Sequence, residues 1–331
     1  MREFFFKKYY LIPALLTCLI LFAAGLGLGS SFLAPGQYFT KTPSGEMQLH
    51  PILFLRIIRI SGAFLIGAAL TLSGATFQAV LRNPLAEPFT LGISGGAAVG
   101  AAISFLAKLR QIHPLMTVIC AFAGALITLG FVLLLSRGGR KGKESLLLSG
   151  IITGTICGSI LMYIFSVVQI DELSSITWWL LGDLQGIEPL TLLPALLLLG
   201  ICYFILRINA MGLNMLSLGD SSAWNGGFDP RKLTLLAVIC ASLLAGMTIA
   251  MAGVISFCGL IVPHMVRKIR GCDYRKILLP LLISGGAFLM FCDLLSRLIH
   301  PEREIPIGVI TSLIGGPLFL WIINRRHSHD S

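Results

Sequence analysis

Few side chains in this sequence have the chemistry to bind or react, and most of those are arginines. Inside the long apolar runs the charged groups are Arg56, Arg59, Asp293 and Arg297, all near run ends. Arg56 and Arg59 stand at i and i+3, so a helix puts them on one face. One reading makes them interfacial anchors whose stems snorkel. The other makes them an outward basic patch that takes the carboxylates of a docking protein, a geometry the forked guanidinium suits. Arg297, near the outer end of its own run, can join that patch.

Covalent catalysis has little to work with. A catalytic pocket needs paired titratable groups, and the sequence has no HExxH, GxSxG or Cys/His metal spacing. His264, directly after Pro263, reads as a hydrogen-bonded structural histidine. The nearest approach to a phosphate-binding loop is Arg137-Gly138-Gly139-Arg140-Lys141-Gly142-Lys143-Glu144. Arg137 stands where the first Gly belongs, Glu144 stands where Ser/Thr would hold magnesium, and no strand precedes it. It reads as a basic loop, so any ATP hydrolysis must come from another subunit. No catalytic residue, cofactor or metal site is expected.

The elements that carry these residues are membrane helices. Hydrophobic residues make up 56% of the 331 and charged residues 12%, against about 25% charged in soluble domains, and mean hydropathy is +0.88. A bilayer crossing takes roughly 20 apolar residues. Candidate spans lie at 9–33, 52–81, 90–107, 114–136, 145–168, 190–208, 233–252, 254–268, 276–299 and 307–324. The expected fold is therefore all-α, a polytopic membrane protein of about ten transmembrane helices, with one membrane domain filling residues 1–331. Segment 254–268 is too short for a straight crossing and holds Pro263, so it reads as a half-span packed inside protein. The run before Ser31 lacks a clean cleavage site and reads as an uncleaved first span.

The net charge of +10 is no nucleic-acid signal, because Lys and Arg gather in loops. Arg2, Lys7, Lys8, Arg82, Arg140, Lys141, Arg207, Arg231, Arg267, Lys268, Arg270, Arg275, Arg325 and Arg326 share one side. The positive-inside bias then puts both termini in the cytoplasm. The eight Cys show no CxxC spacing and read as small hydrophobes.

Three further features stand out. Between the second and third spans, Arg82-Asn83-Pro84-Leu85-Ala86-Glu87-Pro88 forms a short polar cytoplasmic hinge, with Arg82, Asn83, Pro84 and Glu87 its distinctive residues. The loop at about 209–231 carries Met211, Leu213, Met215, Leu216, Leu218, Trp224 and Phe228 on the aqueous side, interrupted at Gly219-Asp220. Exposed apolar clusters of this kind suggest a partner interface. Small residues recur every four positions at Gly92, Gly96, Gly100 and Ser104, and again at Gly150, Gly154 and Gly158; such ladders let helix backbones approach closely and can also line a wide pathway. Trp178 and Trp179 read as interfacial anchors.

Several long stretches resemble the FecCD-type permeases of iron-siderophore, haem and vitamin B12 ABC importers. They are Leu55–Arg59, Ser73–Pro88, Leu91–Ala97, Trp178–Gly186, Gly253–Arg267 and Glu304–Trp321, in fixed order over residues 50–324. Ile58 replaces a proline common in relatives, and Lys143-Glu144-Ser145 departs from the small hydroxyl residues usual at the family's gate. The resemblance implies a type II importer permease fold that pairs with a second copy or a paralogue. It implies two cytoplasmic ATPase subunits that meet Met215, Leu216, Leu218, Gly219, Asp220 and Ala223. It also implies an extracytoplasmic solute-binding protein whose carboxylates dock on Arg56, Arg59 and Arg297. The expected cargo is a ferric siderophore, haem, cobalamin or related chelate, moved across the bacterial cytoplasmic (inner) membrane without any catalytic role for this chain. The rival reading is an ion-coupled secondary transporter, which places ionisable groups deep in the membrane and would rely on Asp293.

Overall fold

A computed structural model provides the fold, and it describes residues 10–29, 36, 38–41, 47–137, 142–300 and 304–327. Arg2, Lys7, Lys8, Arg140 and Lys141, which entered the charge count, lie outside the described residues, as does the centre of the basic loop at 138–141. A helix stands at every apolar run. They are α1 (Leu11–Gly27), α2 (Pro51–Leu81), α3 (Ile93–Leu106), α4 (Leu115–Arg137), α5 (Gly142–Val167), α6 (Pro189–Ile208), α7 (Pro230–Ala252), α8 (Cys258–Arg270), α9 (Tyr274–Ile299) and α10 (Ile307–His327). Six of them (α2, α4, α5, α6, α7 and α9) are long and apolar enough to cross a membrane. Between α1 and α2, Phe39–Lys41 and Met47–Leu49 pair as a short antiparallel ribbon, a small departure from the all-α expectation in a segment too polar to extend either helix.

The core is built around α2. Every residue from Leu65 to Leu81 is buried, as expected of a helix apolar on all sides. It packs on α9, α7 and α8, and glycines set the distances. At Gly74 a Cβ would collide with the Gly259 carbonyl of α8, and at Gly67 with the Gly285 carbonyl of α9. Backbones in such contact leave no room for side chains, which is how membrane helices gain dispersion energy without a hydrophobic drive. Polar side chains inside the seam are bonded: Ser73 Oγ donates to the Ala241 carbonyl at 2.7 Å and the Tyr274 hydroxyl to the Ala75 carbonyl at 2.7 Å.

The first glycine ladder is a packing seam. Gly96 and Gly100 bring α3 against Gly124 and Cys120 of α4, and Gly92 meets Gly150 and Gly154 of α5. Ser104 closes the seam with a 3.1 Å hydroxyl pair to Thr117. The second ladder divides. Gly150 and Gly154 belong to that contact, while nothing stands within 4 Å of a Cβ at Gly158.

The expected half-span is α8, 13 residues long and mostly buried. Gly253 (φ +71) ends α7, residues 253–256 run without helix, and Phe257 (φ +67) starts α8 from a left-handed conformation. Gly271 (φ +83) ends α8 and turns the chain into α9. Irregular backbone at such a depth is tolerated only where protein surrounds it.

The glycine contacts give a direct test. Gly74→Ala should destabilise the chain by about 1–3 kcal/mol, the usual cost of overpacking, because backbone rather than a flexible side chain blocks the new methyl. Gly130→Ala, where nothing lies within 4 Å, should be neutral or stabilise by up to about 1 kcal/mol. Thermal unfolding of both variants in one detergent decides it; equal midpoints would refute the seam.

Candidate functional site

Two polar clusters occupy opposite ends of α2. At its N-terminal end the three arginines do converge, but not as a solvent-facing patch. Arg56 is 7% and Arg297 3% exposed. Arg56 Nη1 donates to the carbonyls of Leu26 (2.8 Å) and Gly27 (3.1 Å), and Arg297 Nη1 to that of Gly25 (3.1 Å). These are the last carbonyls of α1, which have no partner within their own helix, and a cation is favoured at that negative dipole end.

Arg59 makes carboxylate contacts instead. Its Nε donates to Asp293 Oδ1 at 2.7 Å and its Nη1 to Glu304 Oε2 at 2.6 Å. Asp293, 0% exposed, also meets Arg297 Nη2 at 2.9 Å. Glu304 takes a second bond from Gln185 Nε2 at 2.6 Å, which ties in the segment after Trp178 and Trp179. That segment is knitted by backbone bonds: Asp183 N–H to the Ala252 carbonyl (2.9 Å) and Ile307 N–H to the Gly182 carbonyl (3.0 Å). The expected outward patch is thus corrected in part: Arg56 and Arg297 are buried, on the carbonyls of α1 and on Asp293, while Arg59 is held by Asp293 and Glu304 at a partly open edge. Of the three, Arg59 keeps the most accessible side chain, 13%. The Asp293/Arg297 pair at i, i+4 was visible in the sequence; its link to Arg59 was not.

At the other end, α2 stops at Arg82, which is left-handed (φ +51). Its Nε donates to the Leu216 carbonyl at 3.0 Å and its Nη2 pairs with Asp220. The Asn83 carboxamide takes the Leu85 N–H at 2.9 Å, a local turn that leaves Pro84 exposed. Glu87 points elsewhere: it is half-buried and accepts the backbone N–H of Phe257 at the start of α8. Burial pushes its carboxyl above the usual range, and that hydrogen bond pulls it partly back.

Gln78, one turn before Arg82, joins these parts. Pro263 has no N–H, so the Gly259 carbonyl loses its helical partner. Gln78 Nε2 fills that place at 3.3 Å and also donates to the Ala86 carbonyl at 3.3 Å. Its Oε1 accepts from Arg267, in the last turn of α8. Neither Gln78 nor Arg267 was singled out by sequence; a proline inside a buried helix is the signal that a polar side chain must stand four residues' reach away.

The loop after α6 folds into two short helices, Ala210–Leu218 and Asp220–Asn225, separated by Gly219 (φ +148). Of the six residues expected to meet a partner, Leu216 and Ala223 are both 0% exposed and face the bundle, which corrects their role to anchoring. Met215 is half-buried, Gly219 makes the bend and Asp220 holds Arg82. Leu218 (74% exposed) and Trp224 (61%) present the apolar face outward. Asn214 ties the pair to α9, donating to Asp273 Oδ1 at 2.7 Å and accepting the Tyr274 N–H at 2.8 Å. The Asp273 carboxyl sits well below the usual range, mainly through its bonds to Arg275.

With this geometry in view, the profile of the FecCD transport family matches residues 16–325. The vitamin B12 import system permease protein BtuC of Vibrio vulnificus is 34% identical over 317 residues, covering 96% of this chain and 94% of that protein. The hemin transport system permease protein HmuU of Yersinia pestis is 34% identical over 321 residues, covering 96% of each. A solved metal-chelate type ABC transporter in an inward-facing conformation superposes with a TM-score of 0.84 at 26% identity, covering 96% of this chain and 99% of that one.

Two outcomes follow from the clusters. Asp293→Asn should cost about 3–5 kcal/mol, because it strands two buried guanidiniums, whereas Glu304→Gln, at the partly open edge, should cost under about 1 kcal/mol; melting midpoints in detergent compare them, and similar losses would refute the ranking. Asp293→Asn therefore cannot serve to test ion coupling, since lost folding would mask lost transport. For Glu87 the folded carboxyl titrates above its unfolded value. The folded state therefore holds the proton better, and stability falls as pH rises through the window from the unfolded value of about 4.3 upward. Glu87→Gln should melt higher than the parent at pH 7.5 and lose that advantage near pH 4; a pH-independent difference would count against the burial argument.

Proposed function

Because the chain belongs to the FecCD transport family, we propose that it is the membrane permease subunit of an ABC importer for a large metal chelate. The observation that carries this reading is the short helix pair at 210–225, which offers Leu218 and Trp224 to a partner while Arg82 and Asn214 clamp it to α2 and α9. A surface that is apolar, outward and rigidly tied to the bundle suits transmission of force from a partner. The proposed partner is a pair of cytoplasmic ATPase subunits, which puts this end of α2 and both termini on the cytoplasmic side. A second copy of this chain or a paralogue completes the path.

Cargo of the ferric-siderophore, haem or cobalamin class fits two equally similar relatives, one named for vitamin B12 and one for hemin. On the opposite face, an extracytoplasmic solute-binding protein docks at the arginine cluster. Arg59 is the residue its carboxylates reach, with Arg56 and Arg297 positioning it from below by holding α1 and Asp293. The ion-coupled alternative requires Asp293 to exchange its charge during each cycle, and two bonded arginines oppose that.

The test is affinity purification through a tag on this chain from native membranes. An ATPase subunit should co-elute with the parent. Leu218→Asp together with Trp224→Asp should weaken the association roughly thirtyfold, as loss of an interface anchor worth about 2 kcal/mol implies, with the chain itself still folded. Leu216→Asp is unsuitable, since Leu216 lies in the core. Elution without any ATPase in several mild detergents would overturn the proposal.

A further inference from the structure

A groove of about 780 Å³ runs along the flank of the bundle between α1, α8 and α9, within the roughly 300–1,000 Å³ of ligand sites. α1 and α8 both pack on α9, and the groove is the gap they leave. Its lining changes along its length. At the end shared with Arg82 stand Tyr10, Lys268 and Ser284; farther along, the walls are Leu21, Val262 and Phe291. Ser284 Oγ donates to the Pro280 carbonyl at 2.7 Å, so the Tyr10 hydroxyl, 2.9 Å away, is the donor to Ser284. The Tyr10 oxygen keeps its own capacity to accept.

Charge at the polar end is one-sided. Lys268 is exposed, and Arg267, Arg270, Arg275 and Lys276 lie within eight residues of it, against the single acid Asp273. An occupant must therefore be apolar over most of its length and anionic at one end. A soluble anion would waste the apolar walls. A zwitterionic lipid would bring its own cation to a basic end. An apolar helix of another chain would leave Lys268 without use.

We propose that this groove seats one anionic phospholipid of the surrounding bilayer, its phosphate beside Lys268 and an acyl chain along Val262, Phe288 and Phe291. The site matters because one wall is α8, the half-helix that Gln78 and Gly74 hold against α2. A lipid there is wedged between α1 and the body that the hinge bonds to, so its occupancy sets how firmly α8 is braced from the flank.

The experiment uses the purified, delipidated full chain in its complex, challenged with phosphatidylglycerol and with phosphatidylcholine, and counts retained lipid by native mass spectrometry. Phosphatidylglycerol should be retained about fivefold over phosphatidylcholine, the preference one cation near an anionic headgroup supplies. Lys268→Gln, at an exposed position, should bring the two lipids to near parity while leaving elution of the complex unchanged. Ala287→Phe and Ala14→Phe, which fill the groove from opposite walls, should each remove most of the retained lipid. Equal retention of both lipids by the parent, or full retention in both filled variants, would overturn the proposal. So would a photo-reactive residue at Ala287 that cross-links to a second protein chain instead of to lipid.

Discussion

A broken helix inside a dry interior must have every freed polar group bonded, and this constraint organises the chain. Pro263 releases the Gly259 carbonyl inside α8, far from water. An unmet carbonyl there costs several kcal/mol. Gln78 meets it, and it can do so only because Gly74 and Gly259 let α2 and α8 touch backbone to backbone. The same carboxamide holds the Ala86 carbonyl and takes Arg267. One side chain therefore fixes α8 at both ends to α2 and fixes the path of the hinge. Glu87 adds a carboxylate at the N-terminus of α8 through Phe257, where the helix dipole favours negative charge.

The opposite end of α2 follows the same rule with charges. Two guanidiniums close the orphan carbonyls of α1, and one buried aspartate holds two arginines. Buried ion pairs contribute little net stability, because desolvation offsets their attraction. Their effect is on arrangement. α1 packs mainly on α9, and Arg56 and Arg297 add the bonds that fix its last turn on that surface. The same cluster that gathers the three arginines therefore also sets the first helix.

How much of this was legible in sequence depends on range. Apolar periodicity is local, so helices α1 to α10 fall on the expected runs, whereas the helix Ile170–Leu180 falls on none; the shortness of α8 was readable from Gly253, Pro263 and Gly271. The apolar loop at 209–231 was readable because such residues stand out among loop residues. Pairing was not readable. Arg59 and Asp293 are 234 positions apart, and nothing in either segment names the other. Arginines near run ends look solvent-facing in one dimension, and only the third shows carboxylates already beside them. The inward turn of Leu216 and Ala223 escaped for a similar reason: two short helices of nine and six residues carry too few turns to mark a face. The reversal of Glu87 depended on Phe257, 170 positions on.

The hinge itself is better understood as a latch. Gln78 and Arg82 lie four residues apart, one turn along the end of α2. The first grips α8; the second grips the helix pair at 210–225 through the Leu216 carbonyl and Asp220. Asn214 and Asp273 fasten that pair again to α9. A push on the pair therefore reaches α2, α8 and α9 through hydrogen bonds of near-fixed length rather than through a flexible loop. α3, by contrast, joins α2 through the turn at Asn83 and packs by glycine contacts on α4 and α5. The bonded body of α2, α8 and α9 and the glycine-packed body of α3, α4 and α5 therefore meet chiefly through α7, which packs on α2, α3 and α4, and through the turn at Asn83-Pro84, so a push on the helix pair reaches α3 less directly than it reaches α8 and α9.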